Sequence, residues 1–151
     1  MKKVCFLLFV VVMVACKKDD EPTHAFRDLL LKHTSGWVRT SEVVNVGTGT
    51  YDVFNDPDIT RDCDKDDATI FDAAGTYKVV STVECYSGEG SIIGEGTWSL
   101  SSDEKTLTVI IGGDTQVFTV LEADDTHIKA NISTEISGQS VTGVVGLKPK
   151  S

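Results

Sequence analysis

Basic residues are scarce in this 151-residue chain, which carries 14 lysines and arginines against 23 aspartates and glutamates. The net charge is −9, and it becomes −11 without Lys2 and Lys3, which lie in a segment that we expect to be removed. Nucleic-acid binding requires a basic surface, and so does electrostatic adsorption to anionic lipid. The charge balance therefore excludes nucleic acid as an expected partner. It also disfavours self-association, and we expect a monomer.

The sequence also lacks the short motifs of common catalytic and cofactor sites. It contains no GxSxG, GxGxxG, HExxH or CxxC pattern, and its three histidines, His24, His33 and His127, are scattered. We therefore expect no enzyme activity, no cofactor and no structural metal. The length is that of one domain, and 40% apolar residues are enough for a packed core.

A short apolar run over residues 4–15 follows the basic head of the chain. As a helix it would span about 18 Å, less than the roughly 30 Å of a bilayer core, so residues 1–15 are predicted to be a removable secretory signal. The Met-Val-Ala-Cys sequence ending at Cys16 resembles the bacterial lipoprotein box, which implies acylation of Cys16. The alternative is an ordinary signal followed by a chance cysteine.

A charged segment ending at Pro22 follows Cys16 and predicts a solvated tether over residues 16–22. Its Lys, Asp and Glu residues resemble the export signal of surface lipoproteins in Bacteroidetes-type bacteria. We therefore expect a protein held on the outer membrane through acylated Cys16 and exposed at the cell surface, or otherwise facing the periplasm. A generic linker is the alternative interpretation of the segment.

Two cysteines, Cys63 and Cys85, remain after the signal and the lipid attachment site are set aside. In an exported domain they favour one disulfide, which would close a loop of about 20 residues. Two free thiols, or an incomplete metal site, are the alternatives.

The pattern from residue 23 onward predicts one short helix and then only strands. The helix covers residues 23–33, with Phe26 and Leu30 on its apolar face, and Gly36 is the residue that prevents it from continuing. Eight segments with strand character follow, at residues 37–46, 68–72, 76–84, 93–100, 105–111, 115–121, 126–134 and 139–148. Because most connections are short hairpins, residues 23–151 predict an all-β, eight-stranded, antiparallel up-and-down barrel. A sandwich is the alternative.

The connection over residues 47–67 is long, polar and acidic. Its seven aspartates are Asp52, Asp56, Asp58, Asp62, Asp64, Asp66 and Asp67. Carboxylates along a loop can bind calcium, but the EF-hand pattern does not fit a start at Asp62, because position six is Asp67 and position twelve is Ala73. The alternative is a solvated loop whose carboxylates bond nearby backbone N–H groups.

Several motifs then resemble one known family. They are Gly36-Trp37, the acidic cysteine box at 62–67, Ile70-Phe71, Gly75-Thr76-Tyr77, Cys85 and Gly96-Thr97-Trp98-Ser99-Leu100. Over about residues 35–148 they resemble the lipocalin-like domain of Bacteroidetes lipoproteins. The resemblance implies an eight-stranded barrel and a Cys63–Cys85 bridge, and it implies no known reaction.

Aromatic residues in the predicted strands are the candidate ligand-binding residues: Phe71, Tyr77, Trp98 and Phe118. If they surround a cavity, they would bind a small apolar or amphiphilic molecule, and if they fill the interior they are core. Trp37 is predicted to plug the barrel bottom. The runner-up function is a surface module that binds a protein or glycan partner or inhibits an enzyme, based on the tether and the acidic connection. A hydrolase using the acids at 62–67 ranks third.

Overall fold

The computed structural model describes residues 25–87, 91–136 and 139–151. The predicted signal over residues 1–15, Cys16, the tether over residues 16–22 and the start of the predicted helix lie outside these ranges and stay predictions. Within the described ranges, no helix has the length and apolar character needed to cross a membrane.

The described part of the chain contains one α-helix, one 3₁₀ turn and nine strands. Helix α1 covers Ala25–Lys32, and the 3₁₀ turn covers Asp62–Asp64. The strands are β1 (Trp37–Val46), β2 (Gly49–Asp52), β3 (Ala68–Phe71), β4 (Thr76–Val80), β5 (Ile92–Leu100), β6 (Thr106–Ile111), β7 (Asp114–Ala123), β8 (Ile128–Ile136) and β9 (Gln139–Pro149).

Eight of these strands close into an antiparallel barrel. From β3 to β9 each strand pairs with its neighbour in sequence, and β9 pairs back along β1, from Trp37 opposite Pro149 to Asn45 opposite Thr142. The first two residues of β1 also pair with β3, which completes the ring. The predicted up-and-down barrel is confirmed, and one continuous ring of pairing excludes the sandwich.

Two sequence-based assignments differ from the structure by more than two residues. The connection predicted over residues 47–67 contains β2, which pairs with the end of β1 through a two-residue turn at Gly47 and Thr48. Gly47 takes a φ of +60°, the left-handed value that tight hairpins need. The strand predicted at 76–84 ends at Val80, where the register to β5 shifts between Val79 and Val80.

Helix α1 lies across one end of the barrel, here called the closed end. Phe26 and Leu30 are buried there, and Trp37 has no exposed surface. The Trp37 indole Nε1–H donates to the Leu30 carbonyl at 3.3 Å, which ties the helix to the first strand. Gly36 makes the connection possible because its φ is +90° and a Cβ there would lie 2.6 Å from the Thr69 carbonyl oxygen. Trp37 therefore fills the closed end, as its predicted role as a plug requires.

Candidate ligand cavity

The barrel interior contains a cavity of about 290 Å³. Most of its wall is apolar or aromatic: Phe26, Leu30, Phe71, Tyr77, Val79, Leu107, Val109, Phe118, Val120, Ile128, Ala130, Ile132, Val145 and Leu147. Phe26 and Leu30 come from helix α1, so the helix forms part of the wall as well as the closed end.

Strand alternation explains why these side chains meet. Successive side chains of a strand point to opposite faces, so every second residue faces the interior. In β8, Ile128, Ala130 and Ile132 are buried and line the cavity, and so do Leu107 and Val109 in β6.

Three of the four candidate aromatic residues line the cavity. Phe71, Tyr77 and Phe118 belong to its wall, and the ring centroids of Phe71 and Tyr77 lie 5.7 Å apart. Trp98 is not among the lining residues: its Nε1–H donates to the Asp72 carbonyl at 3.0 Å, and its ring meets Phe71 edge-on at 5.4 Å. Trp98 therefore supports Phe71 from outside the wall.

Tyr77 brings a hydroxyl into an otherwise apolar region. Burial raises the pKa of the Tyr77 phenol above its usual value, and the positive charge of Arg39 opposes that rise. The phenol is therefore neutral at physiological pH and keeps a proton to donate to a ligand.

A smaller set of polar residues, here called the polar part of the cavity, completes the wall: Arg39, Glu42, Asp64, Asp67, Thr69 and Gln116. Arg39 and Glu42 form an ion pair with side-chain exposures of 30% and 18%. Partial exposure of both side chains places the polar part next to solvent. A ligand in this cavity would thus meet apolar side chains along most of its length and charged groups at one side.

A β-bulge brings Arg39 and Glu42 to the same face of β1. In a regular strand, residues three apart point to opposite faces. Here Arg39 pairs with Leu147 and Ser41 pairs with Gly146, so Thr40 is an extra residue and Glu42 returns to the inward face, opposite Val145. Sequence reasoning missed both residues: simple alternation assigns Glu42 to the outer face, and Arg39, although on the face of Trp37, is charged and carries no apolar signal for an inward position.

Aspartates in the acidic connection bond to neighbouring groups. Asp64 accepts two hydrogen bonds from the Arg61 guanidinium, at 2.8 Å and 3.0 Å, and Asp62 accepts one from Lys65 at 2.8 Å. The Arg61 hydrogen bond is the main reason why the pKa of Asp64 lies below its usual value, and Lys65 has the same effect on the pKa of Asp62. Asp56 and Asp64 also accept hydrogen bonds from the backbone N–H groups of Asp58 and Arg61, both at 2.8 Å, which is the local bonding that the alternative interpretation expects.

Cys63 and Cys85 form a disulfide with a Cα–Cα distance of 5.5 Å, as predicted. It joins the 3₁₀ turn to the segment that follows β4, and it lies directly beside Asp64 in the polar part. The sulfurs of Cys63 and Cys85 and a carboxylate oxygen of Asp64 lie close enough together to resemble a metal site. Because the two sulfurs are bonded to each other, neither offers the thiolate that a metal would need.

No family model matches the chain, and no curated protein matches it. Solved structures similar to it include the following two. The first is bovine odorant-binding protein in complex with a selenium-containing odorant, with 16% sequence identity, 79% of this chain and 71% of that chain covered, and a TM-score of 0.45. The second is a deswapped triple mutant of bovine odorant-binding protein, with 17% identity, 75% and 71% coverage, and a TM-score of 0.44.

Proposed function

We propose that this chain is a non-enzymatic barrel protein that binds a small apolar or amphiphilic molecule in the cavity. The supporting observation is the cavity itself. Protein interiors are packed so that voids larger than a water molecule are few, whereas this interior leaves about 290 Å³. Apolar side chains around such a space lose the packing contacts that a filled interior would give them, so leaving it unfilled is costly. A binding role explains why the barrel retains it.

The size and lining of the cavity define the ligand class. Its volume lies just below the roughly 300–1,000 Å³ typical of ligand pockets, so the ligand is small. The long apolar wall fits a hydrocarbon or aromatic body. The polar part gives an amphiphile a place for its head group next to solvent.

The proposal extends to where the protein works. Acylation at Cys16 would hold it on the outer membrane, surface-exposed or facing the periplasm, with residues 16–22 as the tether. The Cys63–Cys85 disulfide supports export, because such bonds persist in oxidising compartments. Mass spectrometry of the protein purified from membranes tests the anchor: the acyl mass should be on Cys16, and a Cys16→Ser variant should be recovered in the soluble fraction.

Binding is tested with N-phenyl-1-naphthylamine, a neutral fluorophore that brightens in apolar surroundings. Val145 lines the cavity, whereas its neighbour Val144 is half-buried and is not a lining residue. Val145→Phe should fill the cavity and abolish saturable binding, while Val144→Phe should bind like the wild type. Thermal unfolding of both variants controls for folding.

The runner-up function, a surface interaction module, is favoured by one observation. Exposed apolar side chains occur on the segments around the acidic connection, with Tyr86 66%, Val46 59% and Ile59 56% exposed.

If the wild type shows no saturable binding of the fluorophore, or if both valine variants bind it equally, the cavity proposal is wrong. The outer surface would then be the site at which the protein binds its partner.

A further inference from the structure

The charges on the cavity wall are unequal. Among the residues that the structure describes, its polar part holds one cation, Arg39, and three carboxylates, Glu42, Asp64 and Asp67. Arg61 lies outside the wall but holds Asp64 through its guanidinium, and counting it still leaves a formal charge of −1. The whole chain, at −9, adds a negative field of the same sign.

Arg39, the one cation among the described residues of the wall, is already engaged. Arg39 is paired with Glu42, and its guanidinium lies 5.9 Å from the Phe54 ring centroid, which covers it from the acidic connection. The positive charge of Arg39 also lowers the pKa of Asp64, in the same direction as the effect of Arg61. A carboxylate ligand that bound Arg39 would have to displace Glu42 and leave that carboxylate poorly solvated beside it, which is costly.

An ammonium group meets the opposite situation. A carboxylate has two oxygens and about four acceptor positions, so Glu42 can remain paired with Arg39 and still accept a hydrogen bond from a second donor. The Glu42 side chain is only 18% exposed, so it loses little water when a ligand covers it. The charge-assisted hydrogen bond that forms is stronger than one between neutral groups.

We infer that the cavity selects its ligand by charge: it binds an amphiphile with a cationic, ammonium-type head, which Glu42 receives, and it discriminates against carboxylates of the same chain length. This inference rests on the proposed function, because it concerns the same cavity. Glu42 sets the sign of the preference, and the apolar wall binds the hydrocarbon chain whatever the head group.

Three eight-carbon ligands test the inference by displacing N-phenyl-1-naphthylamine at neutral pH: octylammonium, 1-octanol and octanoate. We expect octylammonium to bind most tightly and octanoate most weakly. Glu42→Gln keeps the size and removes one negative charge, so the affinity ratio of octylammonium to octanoate should fall about tenfold. Octanol binding should not change. Glu95→Gln, on the exposed face of β5, is the matched control and should leave the ratio as in the wild type.

The outcomes separate the inference from the proposed function. Equal affinities for the three ligands, or tightest binding of octanoate, would overturn charge selection and leave the cavity proposal standing. Failure of octanol to displace the fluorophore would overturn the cavity proposal, and the inference with it. Should Glu42→Gln not fold, the ranking of the three ligands on the wild type still decides the inference, because it needs no variant.

Discussion

The Glu104 carboxylate accepts a hydrogen bond from the backbone N–H of Phe26 at 2.9 Å, across 78 residues of sequence. The same oxygen also accepts from the Arg27 N–H at 3.2 Å. The first N–H groups of a helix have no partner within the helix, and an acidic side chain there also complements the helix dipole. Glu104 belongs to the turn between β5 and β6, so this contact fastens helix α1 to the barrel and keeps Phe26 in the cavity wall.

Replacing Glu104 by alanine should therefore destabilise the protein by about 1 kcal/mol, the usual cost of losing a helix cap. Glu104 has a φ of 54°, in the left-handed region. Because alanine has a similar conformational cost there, the difference in the free energy of unfolding reports the loss of the Glu104 side chain. Urea unfolding is the measurement. Glu95→Ala, on the exposed face of β5, is the control and should stay within about 0.5 kcal/mol of the wild type. Equal effects of the two substitutions would contradict the capping role.

Removing the disulfide should lower the free energy of unfolding by about 3 kcal/mol, because Cys63 and Cys85 are 22 residues apart and the bridge restricts the unfolded chain. The double variant Cys63→Ser, Cys85→Ser avoids a free thiol and is compared with the wild type by denaturant unfolding. Added reductant should bring the wild type to the stability of the variant and leave the variant unchanged. Identical stability of the oxidised wild type and the variant would refute this expectation.

Acid should weaken the turn between β7 and β8. Hydrogen bonds from the side chain and backbone of Thr126 lower the pKa of Asp124 from 3.8 to about 2, with a smaller contribution from His127. Because the folded-state pKa is the lower one, the carboxylate stabilises the fold above about pH 4, and this contribution is lost as the pH falls toward 2. Asp124→Asn should therefore destabilise the protein more at pH 6 than at pH 3. A stability gap that is the same at both pH values would contradict the assignment.

The fold was largely predictable from local pattern. Alternation in the segment containing Leu107 and Val109 predicted a strand over 105–111, and β6 runs over Thr106–Ile111. Strand β2 was missed because all four of its residues are exposed, so it carries no apolar signature. The Glu104 cap was also beyond prediction, since a contact across 78 residues depends on the closed barrel and not on the local sequence.

The candidate site was predictable only in part. Inward-facing aromatic residues such as Phe71 and Phe118 follow from strand alternation, and both line the cavity. Glu42 was missed because a one-residue bulge at Thr40 reverses the alternation after it, and the residue types there do not indicate a bulge. Arg39 precedes the bulge and shares the face of Trp37, but a charged side chain carries no apolar signal for an inward position. The charged residues of the cavity wall were therefore found only in the structure.

The most direct test of the cavity as a binding site is a methyl NMR titration with 1-octanol. Ile132, Val109 and Val145 line the cavity, whereas Ile93, Ile110 and Val46 are exposed. If octanol enters the barrel, the methyl signals of the lining residues should shift and saturate together, and those of the exposed residues should stay in place. Shifts confined to Ile93, Ile110 and Val46 would place the ligand on the outer surface and contradict the proposal.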